Sequence, residues 1–348
     1  MSDTPTGTGV TLQDPPSEPA GEHRGAAGVL GRFRHLEHGG LAGATIVLMV
    51  VLASIAPYFL TSRNLLNVLQ QASFVGIIAL AMTFVIVAGE IDISVGSAMA
   101  FASALLGVLV VDHGWTLPAA VLVVLVVGAM IGLLIGAVRV WFDVPSFIVT
   151  LALFGILRGL AQMLTDAVPV RIASESFTHW GNGTVAGIPI PALIMIGFLL
   201  VCWFVLSRTS FGRSVFAVGG NAEAARLAGI NVARIRITTF VTTGVAAALA
   251  GVLVSAQLSS GDSTIGSGAE FTAISAVIIG GASLAGGRGS VPGTFLGIVF
   301  LGILGNGMVL LDLSSYAQGI ASGVIVLIAV VLSAGRGELG RVVRLFGL

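Results

Sequence analysis

Residues 117–138, LPAAVLVVLVVGAMIGLLIGAV, decide the fold class, because no charged or polar side chain interrupts them. A helix that crosses a bilayer needs about 20 predominantly apolar residues, since all its backbone polar groups must be satisfied within the segment. Only 9% of the 348 residues are charged, whereas roughly 25% are charged in a typical soluble domain. The composition therefore indicates an integral membrane protein and argues against a soluble enzyme.

Other stretches along the chain have a similar length and almost no charge. The sequence thus predicts an all-α, polytopic transmembrane helical bundle of about ten spans. The span at residues 144–164 contains Arg158, and the span at residues 271–286 is the shortest. The predicted spans besides 117–138 are 41–60, 68–88, 93–111, 144–164, 188–207, 237–258, 271–286, 293–311 and 316–334.

The arginines orient these spans, because Lys and Arg are enriched in cytoplasmic loops near span ends. With ten spans and a cytoplasmic N-terminus, every Arg except Arg63, Arg158 and Arg171 falls on the cytoplasmic side. Both termini are therefore expected in the cytoplasm. The predicted organisation is a disordered cytoplasmic tail at residues 1–38, a transmembrane domain at residues 39–336 with a cytoplasmic loop at residues 208–236, and a cytoplasmic C-terminal tail at residues 337–348.

The sequence lacks the residues that several kinds of chemistry require. All 16 basic residues are Arg, so the chain has no Lys for a phosphate-binding G-x-x-x-x-G-K-[ST] loop, and a partner must hydrolyse any ATP that drives it. We therefore expect no cofactor in this chain and no enzymatic activity of its own. The five His residues lack metal-ligand spacing, and the net charge of zero offers no basic surface for nucleic acid. The single cysteine, Cys202, cannot form an internal disulfide.

Residues 89–96, GEIDISVG, place two carboxylates between apolar runs. Ionisable groups among membrane spans are costly and tend to mark pathways or partner sites. Asp92 followed by Ser94 can cap the third span, and the flanking glycines permit a tight turn. Two roles stay open for Glu90, Asp92 and Ser94: they shape a turn at the cytoplasmic edge, or they line a translocation path. Residues 280–293 form a looser Gly-rich hairpin on the same side, which indicates a weak parallel repeat.

Uncharged polar residues within the spans are further candidates for the path. Amides and hydroxyls bind neutral polyols without a counter-ion, but they also join neighbouring helices, and both interpretations stay open. Paired glycines, Gly132 with Gly136 and Gly302 with Gly305, are expected to let helices pack closely. The polar candidates are Asn64, Asn67, Gln70, Gln71, Thr83, Thr150, Gln162, Gln257, Asn306 and Gln318.

The loop at residues 208–236 contains a predicted short helix over residues 221–228, NAEAARLA. Asn221 can cap its first turn, and Gly229 is placed to end it. From spacing alone, this helix is either a docking element for another protein or a connector.

Several of these stretches, taken in order, resemble one family, the permease subunits of bacterial ABC importers for ribose, xylose and similar monosaccharides. The resemblance extends over residues 41–334. The matching stretches are residues 64–71 (NLLNVLQQ), 89–96 (GEIDISVG), 145–151 (PSFIVTL), 209–232 (TSFGRSVFAVGGNAEAARLAGINV), 273–287 (AISAVIIGGASLAGG) and 293–311 (GTFLGIVFLGILGNGMVLL).

This resemblance implies an importer made of several subunits. An extracytoplasmic sugar-binding protein delivers a pentose or hexose-like sugar, two permease subunits form the path through the bacterial cytoplasmic (inner) membrane, and cytoplasmic ATP-binding subunits drive transport. The two permeases are identical copies or paralogues.

The resemblance also assigns a role to residues 221–229, which it implies to be the coupling helix that docks in a groove of the ATPase. Glu223, Ala224, Ala225 and Gly229 stand in the positions of the short E-A-A…G docking motif, with Asn221 and Arg226 in the same helix.

One residue departs from the family pattern, since many members have Gly where this chain has Glu90. Three roles stay open for Glu90: it contacts a different sugar, it pairs with Arg139 or Arg288, or it only caps a helix. The rival function is a proton-coupled secondary transporter that uses Glu90 and Asp92, or Glu270, as a relay. A passive channel is a third interpretation.

Overall fold

A computed structural model of the chain describes residues 25–314, 316–321, 323–324, 327–328 and 331, with side chains from residue 39 onward. Backbone contacts divide the chain into two units, Met1–Glu37 and His38–Leu348. The described residues of the first unit are helical, and residues 337–348, predicted as a tail, lie outside the described chain.

The described chain is almost entirely helical. Two short antiparallel pairs join its loops, β1 (Val170–Arg171) with β4 (Ser260–Gly261) and β2 (Thr184–Val185) with β3 (Ile188–Pro189). The helices are α1 (Gly25–Ile55), α2 (Ser62–Val87), α3 (Val95–Val111), α4 (Leu117–Trp141), α5 (Ser146–Thr165), α6 (Glu175–Asn182), α7 (Ile190–Arg208), α8 (Ser210–Gly220), α9 (Ala222–Leu227), α10 (Val232–Leu258), α11 (Ala269–Ile279) and α12 (Val291–Leu310).

Six of the described helices, α2, α4, α5, α7, α10 and α12, are long and apolar enough to cross a membrane. Three shorter apolar helices accompany them: α3, α11 and the Gly39–Ile55 part of α1. The described residues of the predicted tenth span, 316–321, 323–324, 327–328 and 331, are helical. The helical membrane bundle is therefore confirmed, and the number of ten spans stays a prediction.

Helix α11 differs from the eighth span predicted at residues 271–286. It covers Ala269–Ile279, which at 1.5 Å per residue is about 16 Å, too short for a hydrocarbon core of roughly 30 Å. The chain then turns at Gly281 and Gly286, whose φ values of 97° and 84° lie in the region that glycine adopts readily. The prediction of a helix beyond Ile279 was wrong because a glycine-rich turn is apolar in composition.

The start of α11 lies deep in the bundle. Asp92, just before α3, is bound to Thr243 in the middle of α10. Gly96 follows about one turn later, and the Glu270 carboxylate, in the first turn of α11, lies against it. Helix α11 therefore begins beside the first turn of α3, with Ala269 and Glu270 both buried.

Helices α4 and α10 pack against each other through glycines. A Cβ on Gly128 would lie 2.5 Å from the carbonyl oxygen of Gly244, and one on Gly136 would lie 2.7 Å from Cα of Ile237. Gly132 lies between them and also faces the α10 backbone. Since larger side chains would hold these backbones apart, the predicted packing role of Gly132 and Gly136 is confirmed.

The second glycine pair behaves differently. A Cβ on Gly302 would lie 3.0 Å from Cβ of Ala72, so Gly302 brings α12 close to α2. Among the described residues, no atom lies within 4 Å of a Cβ placed on Gly305, so the predicted packing role of Gly305 was wrong.

Candidate functional site

The segment that follows α7 forms two helices, α8 and α9. Oδ1 of Asn221 accepts hydrogen bonds from the backbone N–H groups of Glu223 and Ala224, both at 3.0 Å, and so caps α9 as predicted. Gly229 has a φ of 83° and lies just beyond the end of the helix. The sequence did not reveal α8, because Gly212, Gly219 and Gly220 weaken its helical pattern.

Helix α9 has one buried and one exposed side. Ala225 is buried and fixes the helix to the bundle, whereas Glu223 and Arg226 form an exposed ion pair. A hydrogen bond from Arg226 lowers the pKa of the Glu223 carboxyl, so this carboxylate is ionised at neutral pH. Leu227 is 77% exposed on the same short helix. The exposed side therefore combines a fixed charge pair with an apolar side chain, a pattern suited to contact with another protein.

The end of α8 joins the bundle at a point where its backbone touches two turns, at Gly89 and at Gly286. A Cβ on Gly286 would lie 2.9 Å from Cα of Gly89 and 2.7 Å from the carbonyl oxygen of Gly219. The N–H of Gly287 donates a hydrogen bond of 2.8 Å to the carbonyl oxygen of Val87, the last residue of α2. We call Gly89, Gly219 and Gly286 the glycine joint. It links the α8–α9 segment directly to both predicted hairpins, at residues 89–96 and 280–293.

Glu90 lies beside the glycine joint and is 4% exposed. Nε of Arg139, near the end of α4, donates to Oε1 and Oε2 of Glu90 at 3.0 and 3.1 Å. Nε of Arg236, in α10, lies 2.7 Å from Oε1 in an ion pair that lacks hydrogen-bond alignment. Arg139 also donates to Asp143 at 2.7 Å. Pairing with Arg139 was one of the open predictions. Arg236 was missed because the sequence does not show that the start of α10 lies beside Glu90.

Asp92 is 1% exposed, and protein groups satisfy both of its oxygens. Oδ1 accepts from the backbone N–H and the hydroxyl of Ser94 at 3.0 and 2.6 Å, and Oδ2 accepts from the Thr243 hydroxyl at 2.8 Å. Ser94 therefore uses its hydroxyl on Asp92 and makes no side-chain cap of α3. For Glu90, Asp92 and Ser94, this geometry favours the turn over the translocation path.

Most of this chain matches one known protein family. Residues 64–330 match the family model described as branched-chain amino acid transport system / permease component. The chain belongs to this permease family. The match begins two residues inside α2 and extends beyond the end of α12. It includes the α8–α9 segment and both hairpins.

Individual relatives cover most of the permease. The probable ABC transporter permease protein YphD of Escherichia coli is 45% identical over 85% of this chain and 89% of its own length. The ribose import permease protein RbsC of E. coli is 41% identical over 83% and 91%. The L-arabinose ABC transporter permease protein AraH of Azospirillum brasilense is 35% identical over 90% and 93%. No solved structure matches the chain. The family match and these relatives show that the chain is a transport subunit and a multi-pass protein of the inner membrane.

Four of the ten polar candidates, Asn64, Gln70, Thr83 and Asn306, join one helix to another. Asn64 and Asn306 exchange two amide hydrogen bonds, at 2.8 and 2.9 Å, which connect α2 with α12. Gln70 donates to the carbonyl oxygen of Gly181 in α6 at 2.7 Å. The Thr150 hydroxyl bonds Phe147 of its own helix at 3.3 Å, and Thr83 bonds Thr294 at 2.8 Å.

A smaller group of polar side chains makes no hydrogen bond to the described residues. Asn67 and Gln71 lie on the exposed side of α2, and Gln257 is half-buried near the end of α10. Among these, Gln71 and Gln257 line one cavity of the permease. Sequence patterns do not separate them from Asn64 or Gln70, because all are amides at similar depth in apolar helices.

Proposed function

We propose that this permease is the membrane subunit of an ATP-binding cassette importer that moves a monosaccharide into the cell. In this proposal the chain crosses the membrane ten times with both termini in the cytoplasm, and the eighth crossing combines the short α11 with the non-helical residues that flank it. A separate subunit binds and hydrolyses ATP, an extracytoplasmic protein delivers the sugar, and a second permease, most simply an identical copy, completes the path.

The observation that carries the proposal is the exposed side of α9. The helix is held rigidly, by the Asn221 cap at one end and by buried Ala225, while Glu223, Arg226 and Leu227 face outward. A docking helix must be fixed to its own domain and free on its outer side, and α9 meets both conditions. The predicted role of Asn221, Glu223, Ala224, Ala225, Arg226 and Gly229 in coupling rests on this geometry and on the family.

The named relatives support the substrate class. Curated relatives at 35–45% identity include permeases for ribose, L-arabinose and xylose, whereas the family description mentions branched-chain amino acids. We assign a pentose or hexose-like sugar to this permease because these full-length relatives name pentoses.

Alternating access follows from the rigid links between α9 and the bundle. Binding of ATP by the partner subunits draws the two coupling helices together and opens the path outward, and hydrolysis reverses the change. A displacement of α9 reaches α2 through the glycine joint, and it reaches α4 through Arg236, Glu90 and Arg139. Packed elements transmit such shifts as rigid bodies rather than absorbing them.

A charge reversal on α9 tests the proposal. We expect Glu223→Arg to abolish copurification of the ATPase and sugar uptake, since it removes the ion pair and places two positive charges side by side. Gly229→Asp is expected to act in the same direction by straining the turn after α9. Glu175→Arg is the matched control, because Glu175 starts α6, which packs at the opposite end of α10. Normal ATPase binding and uptake by Glu223→Arg would refute the docking assignment.

The rival proton-coupled transporter predicts a different result. Its uptake survives without an ATPase partner and collapses with an uncoupler, and a passive channel needs neither energy source. The fixed partners of Glu90 and Asp92 weigh against a relay through these two carboxylates, since a relay group must exchange its proton.

A further inference from the structure

A cavity of about 690 Å³ lies where α2, α3, α10 and the start of α11 meet. Its volume is in the range of small-molecule binding sites, roughly 300–1,000 Å³. The cavity opens at the surface of this chain, since Gln71 and Phe271, which line it, are both exposed. The side chains that define its chemistry are Gln71, Phe74, Gln257, Ser267, Phe271 and Thr272.

Two amides of the cavity are free to bind a ligand. Gln71 of α2 and Gln257 of α10 make no side-chain hydrogen bond to the described residues, in contrast to Gln70, which is bonded to Gly181. Each amide carries two donor hydrogens and an acceptor oxygen. Polar groups among membrane helices usually find partners, so two unpaired amides facing one cavity indicate a ligand with several hydroxyl groups.

The cavity also has an apolar side. Phe74 is buried in the core, whereas Phe271, in α11, is 51% exposed. A monosaccharide has hydroxyl groups around its edge and C–H groups on its faces, and an aromatic ring fits such a face. Amides and rings together match a sugar better than they match an ion.

The charge of the cavity separates two ligand classes. None of the described residues that line it is ionisable. The nearby carboxylate of Glu270 is turned aside, since its Oε1 accepts from the N–H of Gly268 at 3.2 Å and its Oε2 lies against Gly96. An amino acid carries an ammonium and a carboxylate, whose burial without charged partners is costly. A neutral sugar needs no such partner.

We infer that this cavity holds a neutral monosaccharide in transit, with Gln71 and Gln257 hydrogen-bonded to its hydroxyl groups and Phe271 against its apolar face. This inference rests on the proposed importer function, and it adds a binding position inside the permease. It also excludes a branched-chain amino acid as the occupant.

The test is uptake of radiolabelled solutes by cells that express the complete importer, with a panel of aldopentoses and aldohexoses and with L-leucine. The variants are Gln71→Leu and Gln257→Leu. The control is Ser207→Leu on the exposed side of α7, whose hydroxyl bonds the Trp203 carbonyl of its own helix. Membrane abundance and copurification of the ATPase are measured in every strain, so that a folding defect is recognised.

We expect the unmodified importer to take up a neutral sugar and not leucine. Each glutamine variant should lower the maximal uptake rate by about tenfold, the effect of ~1.4 kcal/mol, with normal abundance and ATPase copurification, while Ser207→Leu stays unchanged. If either leucine variant does not reach the membrane, the asparagine variant at the same position, Gln71→Asn or Gln257→Asn, replaces it. Asparagine keeps the amide and shortens the side chain.

Three results overturn the inference. Unchanged sugar uptake by both glutamine variants would show that the cavity is not on the path, while leaving the importer function intact. Leucine uptake that the variants reduce would contradict the neutral-sugar assignment. An assembled importer that takes up no sugar of the panel would instead refute the proposed function.

Discussion

Asn64 and Asn306, which are far apart in sequence, form a reciprocal amide pair. Nδ2 of each donates to Oδ1 of the other, at 2.8 and 2.9 Å, and Asn64 donates its second hydrogen to the carbonyl oxygen of Phe59 at 2.9 Å. The pair ties the beginning of α2 to the last turns of α12. Both amides are therefore structural in this arrangement.

The amide pair predicts that the effects of replacing its two members are not additive. Asn306→Leu leaves Oδ1 of Asn64 without a donor and should destabilise the protein by about 1–3 kcal/mol. Asn64→Leu combined with Asn306→Leu should cost less than the sum of the single changes, by about 1 kcal/mol. Thermal unfolding in detergent measures all three variants. Strict additivity would show that the two amides do not interact.

The ion cluster around Glu90 predicts an asymmetric response. Glu90→Gln leaves Arg139 and Arg236 facing a neutral amide and should cost about 1–3 kcal/mol, below the ~3–5 of a fully buried pair because both arginines keep some contact with solvent. Asp143→Asn removes the partner of Arg139 that is 92% exposed and should cost less than about 0.5 kcal/mol. Thermal unfolding compares the two. Equal losses would mean that burial of Glu90 is unimportant.

The glycine joint predicts a loss of coupling without a loss of docking. A Cβ at Gly219 would overlap the carbonyl oxygen of Val87, whereas the neighbouring Gly220 has open space for one. We expect Gly219→Ala to keep the ATPase bound but to lower uptake by about tenfold, the effect of ~1.4 kcal/mol. Gly220→Ala is the matched control and should transport normally. Loss of ATPase binding in Gly219→Ala would place the defect in folding instead.

The α4–α10 contact predicts a position-specific glycine effect. Gly132→Leu should separate the two helices and destabilise the protein by about 1–3 kcal/mol or more, the usual cost of overpacking. Gly155→Leu, on α5, has open space around the new side chain and should be tolerated. Unfolding temperatures and yields in detergent decide between them. Similar yields for both variants would contradict the packing described for α4 and α10.

The sequence alone predicted the parts of this protein that depend on composition and local order. A low charge content and long apolar runs indicate membrane helices wherever they occur, because an unsatisfied backbone is costly in lipid. The α9 helix was equally predictable, since Asn221 and Gly229 act within one turn of its ends. The motifs that carry the family resemblance are also local stretches, and they indicated the family before any contact was known.

Only the tertiary structure decided what each polar residue does. Gln70 and Gln71 are adjacent amides in one helix, yet Gln70 bonds α6 and Gln71 faces a cavity. Glu90 forms an ion pair with Arg236, and Asp92 accepts a hydrogen bond from Thr243. Both partners are in α10, far along the chain. Hydropathy could not predict that α11 ends at Ile279, because glycines of a turn and glycines of a helix are equally apolar. These outcomes depend on which elements lie beside each other, and the order of residues along one segment does not determine that.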